Sequence, residues 1–383
     1  MRHQYIFFCF LSVSLSLSCR GDRLVANGHI PREAYPESHT IWGFMNPKGQ
    51  VVIPAKFNEV RDFHEGLAAF RQGYLWGYLT PSGEIAIPAA YLEAYPFSHH
   101  LARVITDEGR TLFITPSGKS AFDLHCSEAG NFRNGLAKIR QNGKVGYIDT
   151  LGQVVIAPKY EEGFEFNMGV TTVVSNKKFG LIDTSGRYLL KPKYDFIYFG
   201  KITNEPICLI KKKGKVGYYN FQKRTFIAPY FDQGQPFYEQ TAVVKKDTLF
   251  GAINSQGRWI VQPIFSNLLN LGQHRWALSF DNQLFMIDST GLQYGEGFRQ
   301  IYRFSENLAI AQIDHKWGFI NPSGEFAIPP IYDLVWPFKN GIARVAVESG
   351  VGYIDTTGQF VIPPQQADIR DFQEGLARFN VPE

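Results

Sequence analysis

The chain has 383 residues, 44% hydrophobic and 15% aromatic, which excludes wholesale disorder and leaves ample length for a large core or a long array of small units. Its 39 Lys and Arg stand against 35 Asp and Glu, and a net charge of +4 is too weak and too dispersed to require nucleic acid or an acidic membrane as partner. The 36 Gly and 21 Pro beside 32 Phe and 19 Tyr point to short strands joined by tight turns.

At the N-terminus, Arg2 and His3 precede an apolar run from Tyr5 to Leu17, diluted by Ser. That run is short of the ~20 residues a spanning helix needs, and reads as an export signal over residues 1–18. Ser16-Leu17-Ser18-Cys19 is a loose lipobox, with Ser16 where Leu is preferred. The expectation is a lipidated Cys19 that anchors the protein without a transmembrane helix; the alternative is an ordinarily cleaved signal. Residues 19–38 are polar and broken by Pro31 and Pro36, as a tether would be, and the triplet Arg20-Gly21-Asp22 is too short to carry an adhesion reading. The expected location is the envelope of a Gram-negative bacterium, in the outer membrane or periplasm.

From residue 39 to 383 one pattern repeats. Its marker position is occupied by Gly43, Gly77, Leu112, Gly146, Gly180, Gly217, Gly251, Phe285, Gly318 and Gly352, at intervals of 33 to 37 residues. Ten units at so constant a period specify a repeat architecture. Each unit opens on a strand such as Trp42-Gly43-Phe44-Met45, Trp76-Gly77 or Trp317-Gly318-Phe319-Ile320. A turn such as Asn46-Pro47-Lys48-Gly49 follows, in which Asn or Asp bonds the backbone ahead and Gly accepts a left-handed conformation; the sixth unit has Lys223 in place of the Gly. An aliphatic strand then ends at a Pro, and a Phe-x-x-Gly-Leu-Ala segment opens a third strand. The unit therefore reads as a three-stranded meander. In its first strand the residues at the Tyr147 and Ile148 positions face opposite ways and both are apolar, so neighbouring units must cover both faces. The Gly between Val145 and Tyr147 is expected to let the next unit approach closely.

The Trp-Gly pairs, the Tyr-Ile-Asp-x-x-Gly turns at Tyr147 and Tyr353, the Ile-Pro-Pro at Ile328 and Ile362 and the Gly-Leu-Ala segments resemble the bacterial WG-repeat family over residues 39–383. The third unit (Thr111-Leu112-Phe113) and the eighth (Leu284-Phe285-Met286) depart from that pattern. The resemblance implies an all-β repeat protein, often exported, with no catalytic residues to carry over. An open solenoid of stacked meanders is expected, with a closed propeller-like ring as the alternative. A unit of about 34 residues is short for a propeller blade, and the array reads as beginning with a first strand and ending with a third, so that no unit is split. The degenerate Pro363-Pro364-Gln365-Gln366 would then cap the stack.

Chemistry is sparse along this array. No phosphate loop, His-x-x-x-His pair or nucleophile elbow occurs, and no catalytic residue, metal or cofactor is expected. His99-His100 occupy a loop. The series Asp149, Asp183, Asp288 and Asp355, with Asn46, Asn220, Asn254 and Asn321 at matching places, reads as turn caps rather than a carboxylate row for calcium. Cys126 and Cys208 read as buried thiols in strands, with a disulfide as the alternative. Lys177, Lys178, Lys211, Lys212, Lys213, Lys215, Lys245 and Lys246 fall in equivalent loops of consecutive units. They form a candidate ridge for an anionic partner, against the plainer reading of solvated edges that resist aggregation. The expected function is a non-catalytic scaffold, monomeric, binding a protein or a glycan, with a purely structural or secretion-accessory role as the alternative. No nucleic acid is expected, and membrane contact only through the lipid.

Overall fold

A computed structural model describes residues 40–200 and 205–383. The export signal, Cys19 and the tether lie outside these residues.

The repeat is built outward from its turn. Asn46 Oδ1 accepts the N–H groups of Lys48 and Gln50, each at 3.0 Å, while Gly49, at φ 76°, donates back to the Asn46 carbonyl at 2.9 Å. This knot joins the strands Thr40–Met45 and Val51–Phe57. Their register is uneven: Trp42 opposes Phe57 and Phe44 opposes Ile53, so three residues of one strand bulge past a single residue of the other. Pro54 sits in that bulge, where a missing donor costs nothing, and the strand continues through it instead of stopping there. The bulge also explains the Gly that stands opposite it in eight of the ten units. A Cβ on Gly43 would lie 2.5 Å from the Ile53 carbonyl oxygen, and one on Gly146 the same distance from that of Ile156. The clearance serves the unit's own second strand, not the next unit as the sequence suggested.

The segment read as a loop before Phe-x-x-Gly-Leu-Ala holds a further short strand, so the unit has four strands, lettered a to d. In the first blade they are Glu59–Val60, Ala68–Gln72, Leu75–Leu79 and Ile85–Tyr91, hydrogen-bonded in that order. Eight more sheets follow over residues 93–114, 128–160, 162–194, 196–231, 233–265, 269–298, 300–332 and 334–365. All are four-stranded except that of residues 93–114, which has three strands. That exception is the unit whose marker is Leu112, where only a Ser120–Ile114 bridge stands in place of strand d, whereas the unit whose marker is Phe285 keeps both the bulge and all four strands. In the sixth unit the left-handed turn position falls one residue later, on Arg224 at φ 55°, because Tyr219–Phe226 and Asn220–Thr225 stay in register.

The tenth blade closes the molecule. Its strands a and b are Asp368–Gln373 and Leu376–Pro382, and its strands c and d are Thr40–Met45 and Val51–Phe57 from the other end of the chain. Thr40 to Met45 pair in unbroken antiparallel register with Pro382 to Ala377. The ten blades therefore form a ring, a β-propeller arrangement, and not the open solenoid expected from the sequence. The expectation of whole units end to end failed because strand a had been read as loop, which hid the fact that the array starts in mid-blade. The 363–366 stretch is likewise no cap, since it belongs to strand d of the ninth blade.

The hydrophobic core is divided among the seams. In one, Leu67, Ala69, Trp76, Tyr78 and Ile87 of the first blade pack on Ala94, Ala102, Val104 and Ile114 of the second. In another, Phe44, Ile53 and Phe57 of the tenth blade meet Val60, Ala68 and Phe70 of the first. Ten such cores occur among the described residues, each straddling two successive blades. A row of ten blades has nine seams; ten seams require a circle. Both faces of every sheet are covered by neighbours, as the two apolar faces of strand c demand.

Candidate functional site

The motif residues are consumed by the seams. The strand-c aromatic meets the Phe of the next Phe-x-x-Gly-Leu-Ala edge-on: Tyr78 on Phe97 at 4.9 Å, Tyr147 on Phe166 at 5.0 Å and Tyr218 on Phe237 at 4.8 Å between centroids. Where that aromatic is Tyr, its hydroxyl donates to a carbonyl in the next blade, in its strand a or immediately after it. Tyr78, Tyr147, Tyr218 and Tyr353 bond the carbonyls of Tyr95, Phe164, Gln235 and Arg370 at 2.7, 2.9, 2.8 and 2.6 Å. Burial raises all four phenols above their ordinary range, so none is available as an acid or base near neutrality. Arginines add further ties: Arg378 of the tenth blade binds Asp62 and the Val60 carbonyl of the first, and Arg103 binds Asn131.

One end of every blade carries its a–b and c–d turns. There the a–b turns hold two successive left-handed residues, such as Glu65 at φ 53° and Gly66 at φ 77°. A side chain from the preceding blade's turn reaches these exposed N–H groups. The Glu374 carboxylate takes Glu65 and Gly66 at 2.8 and 3.0 Å, Glu65 takes His99 and His100 at 2.8 Å each, and Glu306 takes Asn340 and Gly341 at 2.6 and 2.8 Å. His99 continues the series, its Nε2 accepting the Gly135 N–H at 2.9 Å. The two histidines are thus links between turns, a role that nothing in their spacing announced.

The Asp and Asn series caps its own turns. Asp149, Asp183, Asp288 and Asp355 each accept two backbone N–H groups through one oxygen, as do Asn46, Asn220, Asn254 and Asn321. Among the described residues no cluster of three His, Cys, Asp or Glu side chains is placed to hold a metal. Cys208 lies buried in a strand with its thiol pushed up to about 12 by desolvation, whereas Cys126 is half-buried in the loop before Glu128–Arg133; both are free thiols.

The eight lysines do gather at one end of blades four to six, around their b–c turns. Acids are threaded between them. Lys178 pairs with Asp195 at 2.7 Å and Lys215 with Asp232, each acid belonging to the next blade, and these hydrogen bonds hold both aspartates below the usual carboxylate range. Lys246 lies 3.8 Å over the Tyr230 ring and 3.9 Å from Asp247, and Lys245 lies 5.3 Å over Phe250. Lys177, Lys211, Lys212 and Lys213 have no ion-pair partner among the described residues.

What the repeat pattern obscured is a patch on the free edges of two strands a. Phe164 is 52% exposed and Phe196 36%, and Phe196 stacks on Tyr198 at 6.0 Å with 14° between planes. Phe196 opens its strand a, where the four preceding blades have Glu59, Glu93, Glu128 and Glu162, whereas Phe164 lies just past its strand a, level with Tyr198 of the next blade. The signal was present as a break in that acidic register at Phe196.

No curated protein matches the chain. Several solved structures match the chain at low identity. A eukaryotic initiation factor is 10% identical over 89% of this chain and 98% of its own, with a TM-score of 0.46. BamB from Moraxella catarrhalis is 14% identical over 65% of this chain and 89% of its own, with a TM-score of 0.32. Hsv2 from Kluyvelomyces marxianus is 9% identical over 54% of this chain and 73% of its own, with a TM-score of 0.31. The family model for the WG containing repeat matches nine times, over residues 42–76, 76–108, 113–144, 146–179, 179–215, 250–270, 297–317, 317–349 and 352–381. The chain belongs to the WG-repeat family.

Proposed function

We propose that this ring is a non-catalytic binding platform, exported to a bacterial envelope, held there by a lipid on Cys19, and engaging a protein partner through the aromatic patch of blades four and five. The observation that carries the reading is the exposure of Phe164 and Phe196 in successive blades, with half-buried Tyr198 stacked on Phe196, and Phe196 stands at a position that is Glu in the four preceding blades. Adjacent exposed aromatics with unpaired strand edges suit a protein surface, where rings anchor and the edge backbone pairs. Non-catalysis is supported by the use of the repeated Tyr, Asp and His side chains within turns and seams.

Recovery of envelope proteins by the 20–383 fragment tests this. A specific partner should be lost in the Phe164→Ser/Phe196→Ser variant and kept after charge reversal of Lys211, Lys212, Lys213 and Lys215; equal recovery by the aromatic variant sinks the reading. Incorporation of labelled palmitate that survives Cys19→Ser would discredit the anchor.

A purely structural role is the second reading, favoured by a different observation. Exposed apolar residues such as Val51, Ile85, Val154 and Phe360 recur at the first strand-d position of the tenth, first, third and ninth blades, so that exposed apolar surface is not confined to one patch. If it holds, substitutions at the aromatic patch leave envelope integrity and partner recovery alike unchanged.

A further inference from the structure

The turn clasps supply an internal standard for carboxylate binding. In the first, second and ninth blades a pair of left-handed residues presents two N–H groups to one Glu carboxylate, each oxygen taking one bond of 2.6 to 3.0 Å. The tenth blade has the same turn: Glu374 at φ 50° and Gly375 at φ 79°, against 54° and 79° for Asn340 and Gly341. There the preceding blade offers Asn340 instead of Glu. No described residue accepts a hydrogen bond from the Glu374 or Gly375 N–H, and the carboxylate of Glu374 itself is spent on the first blade. The receptor is built and unfilled.

A second, independent feature adjoins it. Glu374 and Gly375 line a cavity of about 400 Å³ between the ninth and tenth blades, whose walls include Pro47, Pro337, Val361 and Phe372, with Lys339 and Arg344 contributing positive charge and Asp371 one negative. The Arg344 side chain is only 7% exposed, and its Nε is buried without a hydrogen-bond partner. Its equivalents are satisfied: Nε of Arg378 donates to Asp62 at 2.6 Å and Nε of Arg103 to Asn131 at 3.0 Å. Arg344 instead donates through Nη1 to the Ile369 carbonyl at 2.6 Å, while Asp371, at the place of Asp62, stands 3.6 Å from Nη2 and largely in solvent. A buried guanidinium N–H without an acceptor is costly and calls for an anion. In the turn of the eighth blade the Glu306 and Asn307 N–H groups likewise meet no described acceptor, and Gln273 of the seventh blade bonds only the Asn307 side chain, at 2.8 Å; what sets the tenth blade apart is the buried, unpartnered Arg344 Nε beside its turn.

We propose that the seam between the ninth and tenth blades binds the free C-terminal carboxylate of a peptide whose last side chain is apolar. The carboxylate would sit on the Glu374 and Gly375 N–H groups beside Arg344 and Lys339, as the glutamates do elsewhere in the ring. A C-terminal residue carries its carboxylate and its side chain on one Cα, which matches a polar floor set beside walls of Pro, Val and Phe. The cavity opens toward the turns, so the rest of the peptide leaves into solvent. Backbone N–H pairs of this kind capture terminal carboxylates.

The test uses the detergent-solubilised full-length protein and fluorescein-labelled pentapeptides ending in Leu, Val or Phe, each as free acid and as amide, followed by anisotropy at low salt. At least one free acid should bind saturably and its amide at least tenfold more weakly. Arg344→Gln should weaken binding about tenfold. Asn340→Glu supplies the missing carboxylate from within, and should abolish binding while raising the melting temperature. If Arg344→Gln does not fold, Asn340→Glu carries the test alone. Binding of acid and amide alike, binding of neither, or wild-type binding by Asn340→Glu overturns the proposal. Phe164→Ser should leave this site untouched, so its failure and that of the aromatic patch are read separately.

Discussion

At the scale of the residue, the Gly-Tyr pair of the fifth blade shows how two neighbours serve different partners. Gly217 faces its own blade, where a Cβ would lie 2.4 Å from the Ile227 carbonyl oxygen and 2.6 Å from the Pro229 nitrogen. Neither backbone atom can swing aside, so Gly217→Ala should cost about 3 kcal/mol, read from the urea midpoint and slope. Tyr218 faces the next blade. Tyr218→Phe loses only the bond to the Gln235 carbonyl, about 1 kcal/mol, whereas Tyr218→Ala also vacates the seam and should cost about 3–5 kcal/mol. The need for Gly here was legible in the sequence; its beneficiary was not, because the bulge around Pro229 depends on register that no single unit displays. Asp288 carries a pH dependence. Hydrogen bonds, that from the Thr290 hydroxyl first, lower its carboxyl to about 2. A depressed folded pKa means its contribution is full above the unfolded value near 4 and is lost as pH falls from there to about 2. Thermal melts across that window should show a smaller acid loss in Asp288→Asn than in the parent.

At the scale of the element, the tenth blade decides whether the molecule is a ring. Removing residues 376–383 takes away strand b of that blade, unpairs Thr40–Met45, and strips Leu376, Ala377 and Phe379 from two seams. We expect the truncated chain to lose at least 10 °C of melting temperature and to self-associate through the exposed edge, as scattering and size-exclusion profiles would record. A monomer of unchanged stability would mean that the closing strands are dispensable. The four-stranded blade itself was three-quarters legible. Strands b, c and d announce themselves by Leu-Ala, Trp-Gly and the aliphatic run, but strand a is only two residues in half of the blades, such as Glu162–Gly163, and two residues have no periodicity to read. That one omission turned a ring with a shared blade into an apparent stack of whole units. The binding features were less legible still, since an unfilled turn is defined by what the preceding blade fails to send.

At the scale of the molecule, every blade leans on two others and none stands at an end. Cooperativity follows, because an open array can fray from its terminal units whereas a circle must break two seams before any blade is released. Far-UV circular dichroism and the fluorescence of Trp276, wholly buried in the seventh blade, should therefore report one coincident urea transition. Separate transitions would indicate that the seams are weaker than the sheets they join.

The shared blade has a consequence for how such a molecule can change size. Closure depends only on a–b strands at one end of the chain meeting c–d strands at the other, and it is indifferent to how many blades lie between. Duplication or loss of one 34-residue stretch anywhere in the interior removes or adds a complete blade while leaving the clasp intact. Copy number is thus free to drift by single steps, each absorbed as a small change of angle at every seam. What individualises such a ring is then carried by the positions that do not copy: a turn with Asn340 where the first, eighth and tenth blades have Glu, and an edge with Phe196 in place of an acid.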